Sequence, residues 1–118
     1  MRPVRFGLVA VLAYGTVVHV VQLFSWPPYP WAPGWLAAYF VSLTVFDPLA
    51  AGLLLARRAA GLYLAIAVLA SDALANGYAV YGPAGADTGT AARVGQAVIS
   101  LLAVATVICA PWLRRGLR

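Results

Sequence analysis

The sequence predicts an all-α integral membrane protein, an antiparallel bundle of four transmembrane helices joined by short loops. Hydrophobic residues make up 64% of the 118 residues and charged residues only 9%, whereas about a quarter of an ordinary soluble domain is charged. The apolar residues fall into four segments, at about 6–25, 35–56, 61–81 and 93–112, and each is close to the roughly 20 residues that a spanning helix needs. We therefore expect residues 1–118 to form a single transmembrane domain.

Three breaks separate the four segments, and each has a physical cause. Residues 26–34 carry four prolines, which cannot continue a helix. Residues 57–61 form a short turn, so helices 2 and 3 are expected to be antiparallel neighbours. Residues 82–89 contain glycines and a proline that end helix 3. Aromatic residues around the first break are expected in a belt at the outer headgroups, namely Trp26, Tyr29, Trp31, Trp35 and Tyr39. Helical spacing predicts that Tyr39 points away from the face that carries Thr44 and Asp47.

The arginines predict the orientation of the chain. In a four-pass topology all of them except Arg93 fall on one side, which the positive-inside rule assigns to the cytoplasm: Arg2, Arg5, Arg57, Arg58, Arg114, Arg115 and Arg118. We expect a multi-pass protein of the plasma (inner) membrane with both termini cytoplasmic. Because the arginines lie at segment ends and not on one basic face, the net charge of +5 does not indicate nucleic-acid binding. The Arg- and Ala-rich usage without Lys or Glu suggests a bacterial source.

Each predicted helix carries polar side chains at helical spacing on one face. Lipid cannot satisfy such groups, so we expect them to turn toward the interior of the bundle. At 1.5 Å per residue they cluster between the midplane and the outer half of the membrane. The set comprises Thr16, His19 and Gln22 on helix 1, Thr44 and Asp47 on helix 2, Asp72 and Asn76 on helix 3, and Gln96 and Ser100 on helix 4.

Asp47 and Asp72 carry the strongest functional signal. A charged Asp at a helix centre costs about 2.5–3.5 kcal/mol on insertion scales, and His19 is the only base inside the predicted spans. Three solutions remain: protonated carboxyls, a water-filled cavity, or a cationic ligand. A structural role is the alternative, in which Asp47 caps the backbone defect at Pro48 and Asp72 bonds to helix 2. Thr44 could likewise bond back to its own helix.

We therefore predict an enclosed pocket between the helices that binds a lipophilic or cationic small molecule, and the sequence leaves open whether the molecule is also transformed. Two alternatives stay open: an accessory or structural subunit of a larger membrane complex, and an oligomeric proton- or cation-coupled transporter. The partners expected are the bilayer, the small molecule, and a further copy or another membrane protein. The candidate ligand-binding residues are Asp72, Asp47, His19, Asn76, Thr44, Gln96 and Ser100, with Phe40 against the apolar part of the ligand.

No cofactor or metal is predicted, because the chain shows no recognised ligand spacing. The single cysteine, Cys109, excludes an internal disulfide and paired-cysteine chemistry. The size and four-pass layout are similar to those of small multidrug resistance transporters, which carry an acidic residue in the first helix. Here helix 1 has no acid and the arginines are unevenly distributed. Buried acids with a histidine are also similar in layout to emopamil-binding-type sterol isomerases. Both likenesses are of architecture alone.

Overall fold

The computed structural model describes residues 2–24, 33–81 and 90–118, without the side chains of residues 22, 91 and 92. Regular structure in these ranges is helical: α1 Arg2–Phe24, α2 Gly34–Leu55, α3 Ala59–Tyr81 and α4 Thr90–Arg115. All four helices are long and apolar enough to cross a membrane, which confirms the predicted helical class and helix number.

Helices α1 and α4 are longer than the apolar segments that predicted them. α1 begins at Arg2 and α4 runs from Thr90 to Arg115. Their extra turns contain arginines and a proline. A search for apolar runs excludes these residues, although they are common at the ends of helices. The side chain of Gln22 and the expected belt residues Trp26, Tyr29 and Trp31 lie outside the described residues.

The helices pack in chain order. α1 contacts α2, α2 contacts α3 and α3 contacts α4, whereas α1 and α4 touch only sparsely. The core runs along one face of α2. The residues of this face recur at helical spacing and are buried along most of the helix: Leu36, Phe40, Leu43, Asp47, Ala50, Ala51 and Leu54. The chain thus forms a packed row of helices with an open seam between α1 and α4.

The predicted turn between α2 and α3 is present and has a defined chemistry. Arg57 adopts a left-handed conformation with φ 59°. Its N–H donates to the Leu54 carbonyl and that of Arg58 donates to the Leu53 carbonyl, which is the Schellman arrangement that satisfies a helix C-terminus. A Cβ on Gly61 would lie 2.7 Å from the Leu54 nitrogen, so glycine permits the close approach of α3 to α2.

The end of α4 is joined to this turn by backbone hydrogen bonds. Arg118 donates to the Arg57 carbonyl, and Ala59 donates to the Arg118 carbonyl, both at 2.7 Å. The Arg57 guanidinium also reaches the Gly116 carbonyl at 3.3 and 3.4 Å. Arg2 lines the same pocket as Arg57 and Gly116. The start of α1, the α2–α3 turn and the end of α4 therefore meet at one end of the molecule, called the basic end below.

Candidate functional site

His19 of α1 faces Asp47 of α2. The His19 Nε2 atom lies 3.6 Å from Asp47 Oδ2, and both side chains are buried, a distance that suits an ion pair but is long for a hydrogen bond. Gly15, one turn before His19, makes room for the carboxyl, because a Cβ there would lie 2.7 Å from Asp47 Oδ2. The Phe40 ring stacks near the His19 ring with centroids 6.3 Å apart.

Asp72 and Asn76 of α3 form the second part of the site. The Asn76 side-chain amide donates to Asp72 Oδ1 at 2.7 Å and to the Asp72 carbonyl at 3.0 Å, as their i, i+4 spacing predicts. Asp72 and Asp47 are close enough to interact electrostatically. His19, Asp47, Asp72 and Asn76 are called the acid cluster below.

The acid cluster has more carboxyls than positive counter-groups. Asp47 is 4% exposed, and Asp72 and His19 are each 9% exposed. Among the residues that the structure describes, no arginine lies within ion-pair distance of either carboxyl; the one ionisable partner is His19. A single imidazolium can balance one carboxylate, so one negative charge has no counter-charge within the cluster when both carboxyls are ionised.

Thr44 lies one turn before Asp47 on α2 and has a buried hydroxyl. Its Oγ1 atom makes no hydrogen bond within the described part of the chain. The alternative in which Thr44 bonds back to its own helix is therefore wrong, although Thr16 does so, donating to the Leu12 carbonyl at 2.9 Å. Because buried hydroxyls normally find a partner, Thr44 is a free polar contact one helical turn from the Asp47 position.

Gln96 and Ser100 of α4 are turned toward α3. Gln96 Nε2 donates to the Ala73 carbonyl at 2.9 Å and to Ser100 Oγ at 3.2 Å, and Ser100 donates to the Gln96 carbonyl. Gly77 permits this approach, since a Cβ there would lie 3.1 Å from Gln96 Nε2. These two residues, the α3–α4 polar pair, bond to each other and to backbone, not to the acid cluster. Their predicted ligand contact stays a prediction.

The orientation of the Tyr39 side chain differs from the one that the sequence predicted. It was expected in the outer aromatic belt, facing away from the polar stripe, and this is wrong: its hydroxyl shares a 2.5 Å hydrogen bond with Ser71 of α3. Its ring contacts Phe40 edge to face and packs against the core. A buried tyrosine needs a partner for its hydroxyl, and spacing along one helix cannot show a partner on another. Trp35 is 62% exposed, as a belt residue would be.

The predicted enclosed cavity between the helices stays a prediction. Two other pockets, both open to the surface, lie at the basic end and in the seam between α1 and α4, and neither is lined by the predicted site residues. Within the described ranges, no group of three or more His, Cys, Asp or Glu side chains could hold a metal ion.

Fold and site together define a chain of four membrane-length helices with a buried acid cluster. No family model matches the chain, and no curated protein or solved structure is significantly similar to it.

Proposed function

We propose that the chain is an integral membrane protein whose helices cross the bilayer in alternating directions, with the basic end in the cytoplasm. The longest dimension of the molecule is 41 Å, which suits a bilayer of about 40–45 Å with its headgroups. Arg2, Arg5, Arg57 and Arg115 line one pocket at the basic end, whereas Arg93 lies near the start of α4, at its opposite end. This distribution agrees with the positive-inside rule.

We further propose that the acid cluster binds the positive group of a lipophilic small molecule. One observation carries this proposal: of two buried carboxyls, on α2 and α3, only Asp47 has a basic partner among the described residues, which is His19. In this function Asp72 and Asp47 hold the positive charge, and Asn76 orients Asp72 through its amide. His19 accepts or donates the proton that balances the cluster, and Phe40 packs against the apolar part of the ligand.

The remaining predicted residues have roles as polar contacts. Thr44 supplies a hydroxyl without a protein partner, and Gln96 retains a buried, unbonded Oε1 atom. Ser100 positions the Gln96 side chain through their mutual hydrogen bonds. A ligand with one cationic group and one or two polar atoms would use these contacts for orientation, as in other largely apolar ligand pockets.

The arrangement of the polar residues favours a binding site over a structural subunit. A subunit that recognises a membrane partner through polar groups would leave part of its polar stripes facing lipid. Here His19, Asp47 and Asp72 are buried, and Gln96 and Ser100 are half-buried. Asp47 Oδ2 lies close to Gly15 and His19 on α1, so its carboxyl is directed to the neighbouring helix.

Native mass spectrometry of the gently solubilised protein tests this proposal, with tetraphenylphosphonium as a lipophilic cationic probe. We expect the wild-type protein to retain a copurified small mass or the added probe, and Asp72→Asn to retain neither. This variant keeps the side-chain volume and an oxygen that can accept from Asn76, so it removes charge with little change in shape. Thr106→Val is the control and should bind as the wild type does, because Thr106 is buried on α4 and donates to the Leu102 carbonyl of its own helix.

Two results would contradict the proposal. One is an equal loss of the probe from Thr106→Val and Asp72→Asn, which would indicate a general effect on the fold. The other is the absence of any bound mass from the wild-type protein at saturating probe. Accumulation of the probe in proteoliposomes under a proton gradient would extend the proposal to transport, and the oligomer count in the same spectra would show whether a dimer is present.

A further inference from the structure

The basic end contains a pocket with a strong positive charge. It has a volume of about 310 Å³ and brings together four arginines from three parts of the chain: Arg2, Arg5, Arg57 and Arg115. The other described residues of its lining are Trp112, Leu113, Gly116 and Leu117, so no acidic side chain in the described part of the chain lines the pocket to balance the guanidinium groups. The Nε atom of Arg5 is buried and makes no hydrogen bond within the described residues. Such a pocket is complementary to an anion with several acceptor oxygens.

An apolar groove continues from this pocket along the seam between α1 and α4. It has a volume of about 280 Å³ and shares Leu113 with the basic pocket. One wall comes from Val4, Leu8 and Val11 of α1, and the other from Leu102, Ala105 and Cys109 of α4. The groove is open because α1 and α4 touch only sparsely. The charged pocket is thus joined to an apolar groove on the outer surface of the helices.

We propose that the basic pocket and the groove together bind one anionic phospholipid. Its phosphate accepts hydrogen bonds from Arg2, Arg5 and Arg115, while one acyl chain lies in the α1–α4 groove. Arg57 is partly occupied by the Gly116 carbonyl and contributes mainly charge. A free phosphate would bind the arginines but leave the groove empty. A lipid without net charge would fill the groove but would not neutralise the arginines. An anionic phospholipid matches both surfaces.

The position of the site agrees with the membrane leaflet in which anionic phospholipids are abundant. If the basic end is cytoplasmic, the pocket lies at the headgroup level of the leaflet that is rich in anionic lipids. Trp112, half-exposed beside the pocket, is a side chain typical of that interface. The inference rests on the proposed membrane topology but not on ligand binding by the acid cluster, whose residues do not line this site. A bound lipid would connect α1 to α4 and stabilise the open seam.

The proposal is tested by lipid binding to the full-length protein in detergent. Native mass spectrometry measures the binding, and the midpoint temperature of thermal unfolding measures the stabilisation by the lipid. The ligands are phosphatidylglycerol and phosphatidylcholine with the same acyl chains, and inorganic phosphate. The first variant is Arg5→Gln/Arg115→Gln, and its control is Arg58→Gln/Arg93→Gln, which removes the same charge at exposed positions outside the pocket. The second is Ala105→Phe, which fills the groove, and its control is Ala97→Phe at an exposed position of α4.

We expect phosphatidylglycerol to bind the wild type at least about tenfold more tightly than phosphatidylcholine or phosphate. Its binding should also raise the midpoint temperature of thermal unfolding. Arg5→Gln/Arg115→Gln should weaken this binding by about tenfold. Ala105→Phe should weaken it by about threefold and leave the binding of phosphate unchanged. Neither control should have an effect, and tetraphenylphosphonium binding at the acid cluster should be the same in all variants.

Three results would overturn the proposal. Equal affinity for phosphatidylglycerol and phosphatidylcholine would show that the arginines do not select the headgroup. An equal loss of binding in Arg58→Gln/Arg93→Gln would show that net charge, and not this pocket, attracts the lipid. Binding of inorganic phosphate as tight as that of the lipid, unaffected by Ala105→Phe, would identify a site for a small soluble phosphate compound. If Arg5→Gln/Arg115→Gln does not fold, Ala105→Phe decides between the lipid and the soluble phosphate.

Discussion

The acid cluster and the α3–α4 polar pair both place polar side chains between apolar helices, but they differ in how these groups are satisfied. Gln96 and Ser100 bond to each other and to the Ala73 carbonyl. The acid cluster has one amide donor, from Asn76, and one imidazole for two carboxyls. The polar pair is therefore largely complete within the protein, whereas the cluster lacks positive charge.

This difference shows which buried polar residues indicate a function. A neutral amide or hydroxyl between helices contributes about 0.6 kcal/mol on average and occurs in many helical membrane proteins as packing. A buried carboxyl without a cation is costly, and its retention indicates a proton or ligand. The following variants test this distinction, in order of decreasing expected effect.

Removal of both carboxyl charges should have the largest effect. Asp47→Asn/Asp72→Asn keeps the side-chain volumes and removes the attraction for a cation, which is about 4 kcal/mol for unit charges 4 Å apart at an effective dielectric constant of about 20. We expect tetraphenylphosphonium binding to weaken by at least about 100-fold, measured by isothermal titration calorimetry in detergent. Gln96→Leu/Ser100→Ala is the matched double variant in the polar pair. Retention of affinity by the acid variant would refute the distinction.

Crowding of the Asp47 carboxyl should have the next largest effect. In Gly15→Ala the new Cβ would lie 2.7 Å from Asp47 Oδ2, so the carboxyl must shift from its present position beside His19. We expect about tenfold weaker binding of the same probe, with unchanged helix content by circular dichroism. Gly7→Ala is the control on the same helix, because its Cβ meets nothing within 4 Å. Both variants gain about 1 kcal/mol of helix propensity, so an equal change in binding would contradict the crowding mechanism.

The unbonded hydroxyl of Thr44 should give opposite changes in stability and binding. Thr44→Val removes a buried group without a partner, and we expect the free energy of unfolding to rise by about 1 kcal/mol while probe binding weakens a few-fold. The control is Thr106→Val, because Thr106 is also buried but donates to the Leu102 carbonyl at 2.7 Å. It should lose a little stability and bind normally. Denaturation in mixed detergent micelles and calorimetry give the two readouts.

Loss of the polar pair should have the smallest effect. Gln96→Leu removes the hydrogen bonds to the Ala73 carbonyl and Ser100. We expect the free energy of unfolding to fall by about 0.6 kcal/mol and probe binding to change by less than about threefold, by the same two measurements. A loss of binding as large as that of the acid variant would contradict the distinction, because it would give the neutral contact of Gln96 Oε1 the same weight as the two carboxyl charges.

Part of the site could be predicted from spacing within single helices. The i, i+4 pairs Asp72–Asn76 and Gln96–Ser100 share a face and are hydrogen-bonded. Contacts between helices could not be predicted in this way. Tyr39 was placed on the wrong side, because only its partner Ser71, on the next helix, identifies its environment. Similarly, the sequence left open whether Gln96 belongs with the carboxyls; in the structure it bonds to the backbone of α3.

The sequence by itself determined the helix number, the approximate helix segments, the turn at residues 57–60 and the scarcity of cations near the carboxyls. These properties depend on local composition, that is, on apolar runs, prolines and glycines, and the positions of charges. Only the tertiary structure decided that Asp47 faces His19, that the Thr44 hydroxyl has no partner among the described residues, and that a basic pocket continues into an apolar groove. Each residue turns a helix face by about 100°, so partners across an interface depend on helix rotation, which is set by close contacts such as that of Gly15 with Asp47.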